Sequence, residues 1–240
     1  MSQTIESVPS GDAAALPLPA EEEELPGSNL VDLLLRSPRA LLGRFDGPDA
    51  PKILVRLAAV ALAGHLVYGF VVASFAGDMQ WWAAPLKILF GITLSGAICF
   101  PSLYILVCLS GARARGPQVA GMLLSLLALS AVFLAGFAPI AWVFSQSSNL
   151  VSFIGPVHLL VWFISLFASV HMLFLGMKHW RARGTGWVGM WILVLVVTAL
   201  QMATVLRPIV GPSTRLLETE RQFFLQHWLR TIQSDVKSEE

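Results

Sequence analysis

APLKILFGITLSGAICFPSLYILVCLS, residues 84–110, carries a single charge, Lys87, in an otherwise apolar run. As a helix rising 1.5 Å per residue it would measure about 40 Å, more than the roughly 30 Å of a bilayer's hydrocarbon core. Four further runs share this character, at 53–76, 119–146, 150–177 and 187–207. Between Lys52 and Glu218 the only acidic residue is Asp78; every other carboxylate lies in the two ends of the chain. An unpaired carboxylate in lipid costs several kcal/mol, so a stretch this poor in acid belongs in a membrane. The spacing predicts an all-α, polytopic bundle of five transmembrane helices over 53–207. Three of the runs are long enough to tilt, kink or extend past the bilayer.

Composition agrees. The 240 residues are 55% hydrophobic and 13% charged, where a soluble domain has about 25% charged residues. The same scarcity of acid removes proton relays, sodium sites, two-metal centres and paired-carboxylate catalysis from consideration. The net charge of +1 points to no acidic partner and to no nucleic acid. Cys99 and Cys108 would lie about 13 Å apart along one helix, too far for a disulfide, and are expected to be inert buried thiols. No CxxC, HExxH or CxxH spacing suggests a metal. The expectation is a non-enzymatic protein without cofactor.

Working outward, residues 1–28 form an acidic segment with Glu21–Glu24 in a row, and composition predicts disorder there. Leu16–Ala20 is too short to be the core of a cleavable signal, so the first span is expected to act as an uncleaved anchor. Asn29 can cap a short helix presenting Leu30, Leu33 and Leu34. Ser37-Pro38 opens a second, with Leu41, Leu42 and Phe45 on one side. These elements, at 29–46, are expected to lie flat at the membrane interface, the alternative being a cap on the bundle. At the other end, Gly211-Pro212 stops the last span. Thr219 and Gln222 make a capping box ahead of an apolar stripe that includes Phe224 and Trp228, giving a C-terminal amphipathic helix within 213–240.

Basic residues alternate with their absence along the connections. Arg39, Arg44, Lys52 and Arg56 precede or open the first span. Arg113 and Arg115 lie in the second loop, and Lys178, Arg181 and Arg183 in the fourth; the first and third loops have no base. The positive-inside rule then puts the N-terminus in the cytoplasm and the C-terminus outside, in a bacterial inner membrane. Lys87, near the outer end of the second span, is expected to snorkel to the headgroups. Trp81 and Trp82 would mark the outer face, Trp180 and Trp187 the inner one.

Candidate chemistry is sparse. His158 and His171 lie thirteen residues apart, about 140° out of alignment on one helix, so they share no site. No G-x-S-x-G is present. Prolines at 101, 139 and 156 break the spans, the last two flanking the third loop. Each frees a carbonyl on the preceding turn. A pocket in the outer leaflet would draw on Pro139, Pro156, His158 and Gln201. The competing reading is kinked helices packed through small residues such as Gly91 and Ser95. Arg207 at the outer end of the last span could hold a lipid phosphate or pair with Glu218 or Glu220.

The stretch Leu34-Leu35-Arg36-Ser37-Pro38-Arg39-Ala40-Leu41-Leu42 ahead of five spans resembles the approach to the bundle in bacterial Yip1-domain proteins, which place a short SPR-type element there. The Asp-Leu-Tyr-Gly-Pro signature of the eukaryotic Yip1 family is absent. Gln201 to Gly211 together with the phenylalanine-containing tail resembles a group of bacterial five-span inner-membrane proteins. The resemblance implies a non-enzymatic protein that organises membrane or binds partners, and it transfers no residue role. Expected partners are the lipid bilayer and another membrane protein or a second copy of the chain. A transporter or permease component with a pocket at spans three and four is the alternative, though five spans do not divide into matching halves.

Overall fold

The computed structural model describes residues 30–76, 80–147 and 151–205. These form seven helices and, among the described residues, no strand. The helices are α1 (Leu30–Arg36), α2 (Pro38–Arg44), α3 (Ala50–Ala76), α4 (Gln80–Leu109), α5 (Gly116–Ser147), α6 (Val151–His179) and α7 (Gly186–Val205). The last five are long and apolar enough to cross a membrane, which makes the chain a multi-pass helical bundle. Asn29, Asp78, Arg207, the acidic segment over 1–28 and the expected helix within 213–240, with Phe224 and Trp228, lie outside the described residues.

Helix α5 is the centre of the bundle. Two-thirds of its most apolar stretch (67%) is buried inside the protein, against 17% for α7. Helices α3 and α6 pack on α5, α4 packs mainly on α3, and α7 is carried by α4. The result is an arc in the order α6–α5–α3–α4–α7, whose two end helices barely touch. Small residues explain the central position. A Cβ added at Gly64 of α3 would stand 2.8 Å from the Cβ of Ala131 and 2.9 Å from its carbonyl oxygen, so the two backbones meet with no side chain between them. Gly69 of α3 meets Pro85 of α4 in the same way, at 2.6 Å from its Cα. Without a hydrophobic drive between helices in lipid, such close approach is a main source of association.

The prolines do not interrupt the spans. Pro101, Pro139 and Pro156 sit inside continuous helices, and all three rings are exposed on the outside of the bundle. Pro85, inside α4 near its start, is the buried one. Helix α6 is a single span from Val151 to His179, with no re-entrant break at Gly155-Pro156.

Helices α1 and α2 seal one end of the bundle. Leu34, Leu41 and Leu42 are fully buried, with Phe45 close behind, in the same apolar cluster as Leu57, Met122 and Leu173. Phe45 lies flat on Gly121, whose missing Cβ leaves room for the ring. The leucine stripe therefore meets α5 and α6 and does not dip into lipid. Pro38 stands at the first turn of α2 behind Ser37, but the Ser37 hydroxyl makes no capping bond. Lys87 is buried and does not reach outward, because α4 begins at Gln80 and places it two turns inside the helix. Of the two cysteines only Cys99 is buried; Cys108 is exposed.

Since Gly64 faces backbone atoms that cannot move aside, Gly64→Leu should lower the stability of the detergent-purified protein by about 1–3 kcal/mol, the usual penalty of overpacking. Gly189→Ala, where nothing lies within 4 Å, should leave the melting temperature unchanged. Thermal unfolding followed by tryptophan fluorescence distinguishes the two.

Candidate functional site

Two polar assemblies stand out, one at each end of the bundle. The first joins three helices. Tyr68 of α3 and His158 of α6 meet through the Tyr hydroxyl and Nδ1 at 2.9 Å. The other ring nitrogen, Nε2, lies 3.2 Å from the Ser145 hydroxyl of α5. Ser145 in turn donates to the Ala141 carbonyl one turn back, at 2.8 Å. All three side chains are buried. A hydroxyl has one proton, so in the tautomer where Ser145 donates to Ala141 it accepts from Nε2–H. His158 is then the neutral Nε2–H tautomer, and Nδ1 accepts from Tyr68. Every donor in the chain Tyr68–His158–Ser145–Ala141 is used.

This arrangement constrains the chemistry. In nucleophilic catalysis the histidine must accept the serine proton and be oriented by a third group. In the tautomer with Nε2–H the serine hydroxyl points to the backbone, and no carboxylate stands behind the ring among the described residues. The assembly joins α3, α5 and α6. It lies beside a second apolar cluster of Val72, Leu134, Ala138 and Val161, and Tyr68 and His158 add an edge-on ring contact.

Of the residues that the sequence nominated for a pocket, only His158 joins this assembly. Pro139 and Pro156 turn outward. Gln201 is half-buried on α7, the helix at the opposite end of the arc from α6. His171 is exposed and its Nδ1 donates within its own helix to the Ala168 carbonyl, 2.7 Å away. His65 is buried and bonds the Ala61 carbonyl through Nδ1 at 2.8 Å; its Nε2 has no hydrogen-bond partner, nor has the Ser125 hydroxyl. The sequence reasoning missed Tyr68 and Ser145. A signal existed for the first, since the chain has only two tyrosines and a phenol inside a span needs a partner for its hydroxyl.

The second assembly locks the other end, where the N-terminal helices and the two basic loops meet. The α4–α5 and α6–α7 loops pair through their main chains. Arg113 N–H donates to the Trp180 carbonyl at 2.9 Å, and Arg183 N–H to the Ser110 carbonyl at 2.8 Å. Two left-handed residues make the turns, Gly111 (φ 73°) and Arg181 (φ 56°). Gly111 adopts such a φ freely, whereas an arginine there is strained. Asp46, in the turn between α2 and α3, ties both loops to the N-terminal cap. Its carboxylate accepts from the Gln118 amide and from the Trp180 indole at 3.4 Å, and faces His179 Nε2 at 3.6 Å. Gln118 also accepts from the Arg115 main-chain N–H, closing half of a capping box at the start of α5. Trp180, expected as an interface anchor, is instead buried in this clamp.

Interhelical hydrogen bonds in bilayers average about 0.6 kcal/mol and reach about 1.7. Tyr68→Phe and Ser145→Ala should each destabilise by that order. The double variant should lose less than the two singles added together, because both act through the same imidazole. Unfolding of the four proteins in mixed micelles measures this coupling.

No protein-family model, no curated protein and no solved structure matches this chain.

Proposed function

We propose that the protein is a non-enzymatic component of a bacterial inner membrane, Yip1-like in organising the membrane or binding a partner protein, and that α7 is its binding face. The observation that carries this reading is the thin attachment of α7. It packs on α4 and hardly touches α6. Its main anchor is Trp191, fully buried, whose indole N–H lies 3.0 Å from the Cys99 carbonyl and 3.2 Å from the Ser102 hydroxyl. Trp187, Met190, Val194 and Val197 remain exposed along the outer side. A span gains nothing by burying leucine against leucine in place of lipid. A helix held by so little packing is suited to exchange lipid for another span.

The polar groups support the non-enzymatic part of the reading. The buried Tyr68–His158–Ser145 chain has its donors committed to bracing, and its geometry lacks an oriented base. A transport pocket at the kinked spans finds less support, since Pro139 and Pro156 face outward. Orientation follows from charge: the N-terminal helices and the loops bearing Arg113, Arg115, Arg181 and Arg183 share one end, which the positive-inside rule assigns to the cytoplasm.

Two experiments test these statements. A photoreactive residue at Val194 or Val197 in native membranes should yield a discrete protein adduct, whereas one at Leu62 on α3 should label lipid. Lipid adducts alone from α7 would remove its role as a binding face. For orientation, a reporter active only outside the cytoplasm should work when fused after Glu240 and fail when inserted near Arg115; the reverse pattern would invert the topology.

A further inference from the structure

The paired loops create a cluster of cations with no carboxylate paired to them among the described residues. Arg113, Arg115, Lys178, Arg181 and Arg183 are all exposed at one end of the bundle. Their nearness is imposed by the main-chain bonds from Arg113 and Arg183, not by any attraction between the side chains. The Arg183 stem lies across Gly111, within 3.4 Å of where a Cβ would stand. Every carboxylate among the described residues is engaged elsewhere. Asp32 pairs with Arg36 at 2.9 Å and Asp49 with Lys52 at 2.8 Å. Lys52 holds the Asp49 carboxyl below its ordinary range, first by its hydrogen bond and then by its charge. Asp46 serves the clamp of Gln118, Trp180 and His179.

Like charges held together by a fixed backbone call for an anion. The C-terminal acids begin at Glu218, thirteen positions beyond Val205, where α7 ends at the opposite end of the bundle from these loops. The N-terminal acids are well placed. Glu21, Glu22, Glu23 and Glu24 are consecutive, and Glu24 lies six positions before Leu30. Extended, six residues span at most about 20 Å. The helices they lead into, α1 and α2, sit against α5 and α6 at the same end as the cationic loops.

We propose that the acidic run Glu21–Glu24 docks on the cationic face formed by the α4–α5 and α6–α7 loops, covering it within the same molecule. Single exposed ion pairs are weak, but a short tether gives an effective concentration in the millimolar range, and four acids face five cations. The tail would then compete with any external polyanion for this face, and salt would release it, since the screening length falls from about 30 Å at 0.01 M to about 3 Å at 1 M. Only the shared end of the bundle matters here, so the proposal does not depend on which side of the membrane is cytoplasmic or on the role of α7.

The test uses the full chain in nanodiscs of phosphatidylcholine, with Cys99→Ser and Cys108→Ser to remove native thiols and spin labels at Leu25→Cys and Gly184→Cys. Pulsed dipolar spectroscopy should give a narrow short-distance population at low salt. That population should be lost in high salt, in the variant with Glu21, Glu22, Glu23 and Glu24 all changed to Gln, and in Arg113→Gln with Arg183→Gln, whose main-chain bonds survive. The tail substitutions precede α1 and change no residue of the seven described helices. Identical distributions in the parent and the four-Gln variant would overturn the proposal. If, in addition, discs containing phosphatidylglycerol immobilise the Gly184 label equally in both proteins, lipid headgroups occupy the face instead.

Discussion

Lipid surrounding the spans is as apolar as leucine, so burying side chains between helices yields little, and the bundle must hold by close approach and by hydrogen bonds. That constraint accounts for the position of α5. Gly64 against Ala131 and Phe45 against Gly121 let neighbours reach its backbone. It also accounts for the serines. Ser95, Ser102, Ser110, Ser130, Ser165 and Ser169 each donate to a carbonyl three or four residues back, which satisfies the hydroxyl inside its own helix and leaves a small, effectively apolar face for packing. Polar contact between helices is then confined to a few places, and these decide how the spans are arranged.

Those places divide the bundle by level. At the end bearing the N-terminal helices, Asp46, Gln118, Trp180 and the paired loops bind α2, α5 and α6 through many bonds, above an extensive apolar cluster. At the other end the cluster is small, and the His158 chain supplies the cohesion that packing does not. The arc's free end, α7, is held by three buried side chains, Val188, Trp191 and Leu195, of which only Trp191 adds hydrogen bonds across to α4. Burial is therefore graded across the molecule, highest around α5 and lowest at α7.

Much of this was legible in the sequence. The five spans follow from run length and from the absence of acid, since both reflect the cost of polar groups in lipid. The segregation of basic loops to one end follows from counting Arg and Lys. What could not be read is rotation and neighbour order. A helix that is apolar all round has no polar face to report which side is inward, so the outward turn of Pro139 and Pro156 and the inward turn of Lys87 were invisible. Likewise the leucines of α1 and α2 show an amphipathic stripe, but a stripe does not say whether protein or lipid covers it. The Tyr68–His158–Ser145 chain joins positions far apart in sequence, and only the α3–α5–α6 arrangement brings them together.

The two polar assemblies also differ in what they leave over, and this separates bracing from function. In the His158 chain the side chains answer one another, and the Ser145 end closes on the Ala141 carbonyl. At the other end the bonds are made by main chain and by one carboxylate, while the arginine side chains of the same loops take no part. A device needed only to close the bundle could have used uncharged turns there. Gly111 supplies its left-handed turn with no side chain, whereas Arg181 adopts the same region against its own preference and keeps its guanidinium at the surface, with no partner among the described residues. Positive charge that helps orient insertion needs only to be present, not to be gathered on a fixed frame. The gathered frame at Arg113 and Arg183 is thus the feature of this bundle that packing and topology leave unexplained, and an anion is the chemistry that fits it.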